Sequence, residues 1–104
     1  MARSPRMDQI EALLADDPAD TFLRYGLAME HASVGDEATA ATLLLKLIDD
    51  APYVPGFLQA GQILNRLNRV DEACAVLRRG ITAAKQQGDS HAEGEMSGFL
   101  TTME

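Results

Sequence analysis

Shifted by 33 residues, the middle of this chain falls onto itself. Ala28 lands on Gly61, Ala40 on Ala73, Leu44 on Leu77 and Ile48 on Ile81. Small residues meet small ones, and large apolar residues meet large apolar ones. A fixed period of this length marks a helical repeat array, in which each unit buries its apolar face against the next. An all-α chain is expected, with another molecule bound on an extended helical surface.

At 104 residues the chain is expected to form one domain. Aromatic residues are 5% of it and Trp is absent, so the core must come mostly from Leu, Ile, Val, Met and Ala. Leu, Met and Ala are strong helix formers. No stretch alternates strictly between apolar and polar, so little or no sheet is expected. The formal charge is −7, with ten acids and four bases in residues 1–52 against six acids and five bases in 53–104. Nucleic acid requires a dense basic face, so no nucleic-acid partner is expected. The bases of the second half, Arg66, Arg69, Arg78, Arg79 and Lys85, read as a solvated helix face; a patch for an acidic partner segment is the sharper alternative. Cys74 is the single cysteine, which rules out an internal disulfide. With no secretory apolar segment near Met1, this points to the cytoplasm. No apolar run reaches the ~20 residues that span a bilayer, so no membrane partner is expected.

Residues 1–7, with Ser4-Pro5-Arg6 ahead of Met7, read as a flexible leader. A first helix is predicted from Asp8 to Ala15 on Ile10, Leu13 and Leu14, in a segment 8–18 closed by Asp16-Asp17-Pro18. A second runs from Asp20 to Val34, with Phe22, Leu23, Leu27 and Ala28 at helical spacing and Tyr25 and Met29 on an adjoining strip. Gly35 ends it, because glycine adopts positive φ at little cost. A third runs from Glu37 to Asp50, capped by Asp36, with Leu43, Leu44, Leu47 and Ile48 inward and Asp50-Ala51-Pro52 as its stop. A fourth starts near Val54-Pro55 and passes Phe57, Leu58, Gly61, Leu64 and Leu67. Asn68 follows, the next best residue for a left-handed turn. A fifth spans Asp71 to Gln86 on Ala73, Val76, Leu77 and Ile81, and Gly88 breaks it. The last, roughly His91 to Met103, lies in a capping segment 89–104 and carries Met96, Phe99, Leu100 and Met103. Short links between helices force antiparallel neighbours. Glycine inside a helix costs about 1 kcal/mol relative to alanine, so close crossings are expected at Gly61 and Gly80.

These features resemble the tetratricopeptide repeat, a pair of antiparallel helices of about 34 residues with small residues at the crossings and a proline near the end. The first unit, 19–52, matches at Leu27-Ala28, Gly35-Asp36, Ala40, Leu44, Leu47 and Pro52. The second, 53–86, matches at Phe57, Ala60-Gly61, Leu64, Ala73, Leu77 and Gly80. The run from Phe22 to Asp89 is also similar to small bacterial single-domain proteins of this family. The resemblance implies a right-handed α-α superhelix of two repeats, with flanking helices covering the ends, that binds a protein or peptide. Three positions depart from the pattern. Arg24 stands where the family has a large apolar residue, with Phe22 or Leu23 as the substitute. His31 replaces an aromatic residue or leucine, and Asn68-Arg69 replaces a Gly-Asp turn.

In that family the first helix of each unit lines a concave groove. Carried over, the first unit presents Phe22, Tyr25, Gly26, Met29, Ala32 and Ser33, and the second Leu58, Gln59, Gln62, Asn65 and Arg66. The expected partner-binding residues are Phe22, Tyr25, Met29, Leu58, Gln59, Gln62, Asn65 and Arg66: a partly apolar floor, amides that bond a peptide backbone, and one cation at the rim. The alternative is that Tyr25 and Met29 pack on the first helix and the groove is filled. Some members of the family grip a peptide's terminal carboxylate with lysines and asparagines. The matching positions here hold Tyr25, Met29, Pro55 and Gln59, which excludes that grip, although Asn65 and Arg66 can hold one carboxylate. A different reading is a homo-oligomeric scaffold, a homodimer for example, joined through the terminal helices at Phe99 and Leu100. No enzyme activity, cofactor or metal is expected. There is no nucleophile-elbow pattern, no phosphate-cradling loop and no pair of metal histidines. His91 and Glu95 lie four apart, giving two of the three or four ligands a metal needs. Cys74, beside Ala73 and near Val76, reads as an inert half-buried thiol.

Overall fold

The computed structural model describes residues 3–104, which form six α-helices and no strand. They are α1 (Pro5–Asp16), α2 (Thr21–Ser33), α3 (Glu37–Asp50), α4 (Val54–Arg66), α5 (Val70–Gln86) and α6 (Ser90–Met103). The chain divides into two compact units at the Ala51–Pro52 link: α1–α3 form the first and α4–α6 the second. The fold is an all-α helical repeat, as expected.

The turns repeat one local device. After α2, the Gly35 N–H donates to the Ala32 carbonyl and the Asp36 N–H to the His31 carbonyl, with Gly35 at φ 87°. After α4, Asn68 donates to Asn65 and Arg69 to Leu64, with Asn68 at φ 62°. After α5, Gly88 donates to Lys85 and Asp89 to Ala84, with Gly88 at φ 71°. Each pair of bonds satisfies carbonyls that the helix end leaves open, and each needs one residue in the left-handed region. Asp36 and Asp89 then cap the next helix by accepting from the Thr39 and Ala92 N–H groups. Arg69 opens α5 without a side-chain cap and instead pairs with Glu72 through Nε and Nη2, at 2.6 and 2.8 Å.

In the first unit α1 packs on α2, and α2 on α3. Met7, Ala28, Ala40, Ala41, Leu44 and Leu47 are fully buried, with Ile48 close behind. The start of α1 differs from expectation. The helix begins at Pro5 rather than Asp8, so the expected leader is already helical there; Met1 and Ala2 lie outside the described residues. The Ser4 Oγ accepts the Met7 N–H, and the Ser4 N–H points at the Met7 sulfur 3.5 Å away. That is a capping box with methionine in the third position, and proline at N1 completes the signal. Met7, not Leu13, is the buried anchor of α1, and Leu13 is 55% exposed. Ser4 Oγ also donates to Glu30 Oε1 near the end of α2, which sets α1 antiparallel to α2.

In the second unit α5 packs between α4 and α6. Phe57, Ile63, Leu64, Leu77 and Met96 form its centre. Gly61 and Gly80 are explained by close approach. A Cβ at Gly61 would stand 2.6 Å from Leu77 Cγ, and one at Gly80 would stand 2.6 Å from Phe57 Cβ and 2.5 Å from Met96 Sδ. Ile81 is half-buried where Ile48 is buried, so the repeat is imperfect at its last position. The Gln87 amide ties the end of α5 to the Pro52 carbonyl at 2.8 Å.

Candidate functional site

The expected binding residues lie along one face of α2 and one face of α4, each within its own unit. At roughly 100° per residue, Phe22, Tyr25 and Met29 fall within about 60° of one another around α2. Phe22 is 73% exposed, and Tyr25 and Met29 are half-buried. Phe22 therefore does not substitute for the large apolar residue missing at Arg24. It sits one residue after the first position of the helix and points away from the core. Gly26 does not belong to the open face: Ile10 of α1 lies over it, 3.7 Å from where a Cβ would be. Thus α1 covers one margin of the α2 face and leaves Phe22 exposed.

On α4, Leu58, Gln59, Gln62, Asn65 and Arg66 span roughly 120° of the helix. Leu58, Gln59, Gln62 and Asn65 are half-buried and Arg66 is exposed. The complementary arc carries Phe57, Ala60, Gly61, Ile63 and Leu64, all buried. The face is thus an apolar residue followed by three amides and a guanidinium, with a packed core behind it.

The basic stretch of the second unit is largely engaged by its own acids. Arg69 holds Glu72, Arg78 pairs with Glu104 through Nη2, and Lys85 lies 3.9 Å from Glu93. Arg79 stacks on the Phe57 ring at 5.5 Å from its centroid. This matches a solvated helix face better than an open basic patch. His91 and Glu95 form an exposed pair at 3.5 Å. Among the described residues, no group of three or more His, Cys, Asp or Glu is placed to hold a metal ion. Cys74 is buried and unpaired, deeper than the half-buried thiol expected. No described helix is long and apolar enough to cross a membrane.

The sequence reading missed a cleft of about 240 Å³ in the first unit, lined by Leu14, Pro18, Arg24, Leu27, Leu43 and Lys46. Arg24 and Leu27 lie roughly 160° around α2 from Phe22 and Met29, so the cleft is on the other side of that helix. Arg24 Nη2 donates to Asp50 Oδ2 at 2.9 Å, and Lys46 Nζ lies 3.3 Å from Asp50 Oδ1. Hydrogen bonds from Arg24 and then Lys46 hold the Asp50 carboxyl below the usual carboxylate range. The available signal was Arg24 itself, a charged residue on a stripe that reads as core.

No family model matches the chain. A TPR repeat-containing protein of Pseudomonas aeruginosa is 27% identical over 99 residues, covering 94% of each chain. Two solved structures of a tetratricopeptide repeat domain protein from Salinibacter ruber share the fold. The solution structure superposes with a TM-score of 0.79 at 30% identity, over 85% of this chain and 90% of that one. The crystal structure gives a TM-score of 0.76 at 28% identity, over 81% and 94%. The same fold thus recurs in a chain of nearly the same extent, and this protein belongs to the tetratricopeptide repeat family.

Proposed function

We propose that this chain is a protein-interaction module whose partner, a protein or peptide, is met by Phe22, Tyr25 and Met29 on α2 and by Leu58, Gln59, Gln62, Asn65 and Arg66 on α4. The tetratricopeptide repeat fold suggests protein–protein interaction in general. The observation that carries this reading is Phe22: a phenylalanine 73% exposed, in line with half-buried Tyr25 and Met29 on a repeat helix. An apolar group held open to water beside a polar rim is what a contact surface requires. The α4 face adds amides suited to a peptide backbone. The double variant Tyr25→Ala/Arg66→Glu is expected to reduce partner capture from native extract to background while leaving helicity intact. Recovery of the same proteins by the double variant would overturn the assignment.

A second reading, self-association through α1, is favoured by the exposure of Leu13. The expected role of Leu100 is not supported, because Leu100 is buried within its own unit. Light scattering at two concentrations separates the readings, and a monomer at both removes the second.

A further inference from the structure

We propose that the cleft beside Arg24 is a second contact site, which takes one large apolar side chain from an acidic segment of a partner protein. This rests on the reading of the chain as a protein-interaction module, and it places a contact on the opposite side of α2 from the Phe22 face. The floor is apolar: Leu14, Pro18, Leu27 and Leu43. The volume, about 240 Å³, is below the roughly 300–1,000 Å³ of small-molecule pockets, so a single side chain suits it better than a whole drug-sized ligand.

The second unit shows what normally stands here. Advancing Arg24 by the repeat shift of 33 gives Phe57, which is 3% exposed and packed against Gly80 and Met96. In the first unit a guanidinium occupies the phenylalanine's place, and apolar walls are left open. A partner's aromatic or leucine side chain would restore the missing contact.

The polar lining selects the charge beside that side chain. It contains two cations, Arg24 and Lys46, and no acid. Asp50, bonded to both cations, takes one Arg24 N–H at Nη2, and an arginine has five N–H donors to offer. The Arg24 side chain is only 20% exposed, so a carboxylate reaching it is less screened than at an open surface. Lys46, 71% exposed, can turn from Asp50 at little cost. The competing influence is the −6 charge of residues 1–52, which steers basic segments toward this unit. Arg24 and Lys46 share the single Asp50 carboxylate, so one positive charge is left in excess at close range, against a diffuse field that salt screens beyond about 8 Å.

The test uses two capped peptides, acetyl-Asp-Trp-Glu-amide and acetyl-Lys-Trp-Lys-amide, titrated into the full chain with methyl resonances followed by NMR. The acidic peptide is expected to shift the Leu14, Leu27 and Leu43 methyls saturably, and to bind about tenfold tighter than the basic one. Lys46→Glu, at an exposed position, is expected to weaken it about fivefold, and Arg24→Phe to abolish the shifts by filling the cleft. Tyr25→Ala should leave them unchanged. Equal or tighter binding of the basic peptide, shifts confined to other residues, or no saturation at millimolar peptide would each overturn the proposal. Loss of partner capture in the Tyr25 and Arg66 double variant is measured separately, so failure of the cleft and failure of the α2 and α4 faces are distinguishable.

Discussion

Arg24 and Phe57 stand 33 positions apart, one helical turn into the first helix of each repeat, and they do opposite things. Phe57 is buried at the centre of the second unit, under Gly80 and Met96 and beneath the Arg79 guanidinium. Arg24 reaches past apolar walls to Asp50 at the edge of the first. The same shift pairs Leu47 with Gly80. The first unit therefore has a charged residue on α2 and a large one on α3, while the second unit has an aromatic residue on α4 and a small one on α5. In the second unit the small residue makes room for the aromatic one, whereas the first unit leaves about 240 Å³ open beside Arg24.

The comparison is easiest to break by truncation. Phe57→Ala is expected to cost roughly 3–5 kcal/mol, the range for a buried aromatic. Arg24→Ala is expected to cost about 1 kcal/mol, as for a hydrogen-bonded ion pair whose carboxylate side is open to water. Leu44→Ala and Leu77→Ala, both fully buried, should each cost roughly 2–5 kcal/mol and calibrate the two units against each other. Urea unfolding of the four variants decides the matter: equal losses at 24 and 57 would mean that Arg24 is core after all.

Smaller effects are expected at the glycines. At Gly80 an added methyl meets Phe57 Cβ, an atom fixed by the backbone, as well as the flexible end of Met96. Gly80→Ala should therefore lose about 1–2 kcal/mol despite the better helix propensity of alanine. Gly94 and Gly98 on α6 have nothing within 4 Å of where a Cβ would stand, and alanine there should gain up to about 1 kcal/mol each by thermal unfolding. A destabilised Gly94→Ala would show that α6 packs differently.

The smallest expected effect separates the two turns by pH. Hydrogen bonding from Thr39, aided by His31, holds the Asp36 carboxyl below its ordinary value of 3.8. A carboxyl depressed in the folded state stabilises above the unfolded value, and the contribution is lost as pH falls through the lower folded value. The matching turn in the second unit has Arg69 and lacks this group. Asp36→Asn should flatten the acid side of the stability profile below about pH 4, and Arg69→Gln should flatten it from the ordinary Glu value of 4.5 downward, because Arg69 holds the Glu72 carboxyl below that value. Identical profiles for Asp36→Asn and the parent chain would remove Asp36 as the source.

Helix type, turn position and hairpin order could be read from the residues because their causes are local. Gly35, Asn68 and Gly88 are the residues that accept positive φ, Asp36 and Pro52 bound α3, and the apolar spacing of Leu44, Leu47 and Ile48 is helical whatever surrounds it. Ser4-Pro5 carried an equally local start signal, but Met7 takes the place of the usual Glu or Gln in the box and made it read as a tail.

What surrounds a side chain is different, because it depends on residues distant in the chain. Phe22 and Leu13 are as apolar as Leu44, yet both stand open to water where Leu44 is sealed. The cleft exists because Leu14, Leu27 and Leu43 come from three helices and converge on a position that Arg24 does not fill. Periodicity specifies which residues share a face. Which faces are then left open is set by packing, where volumes must match across helices brought together only on folding.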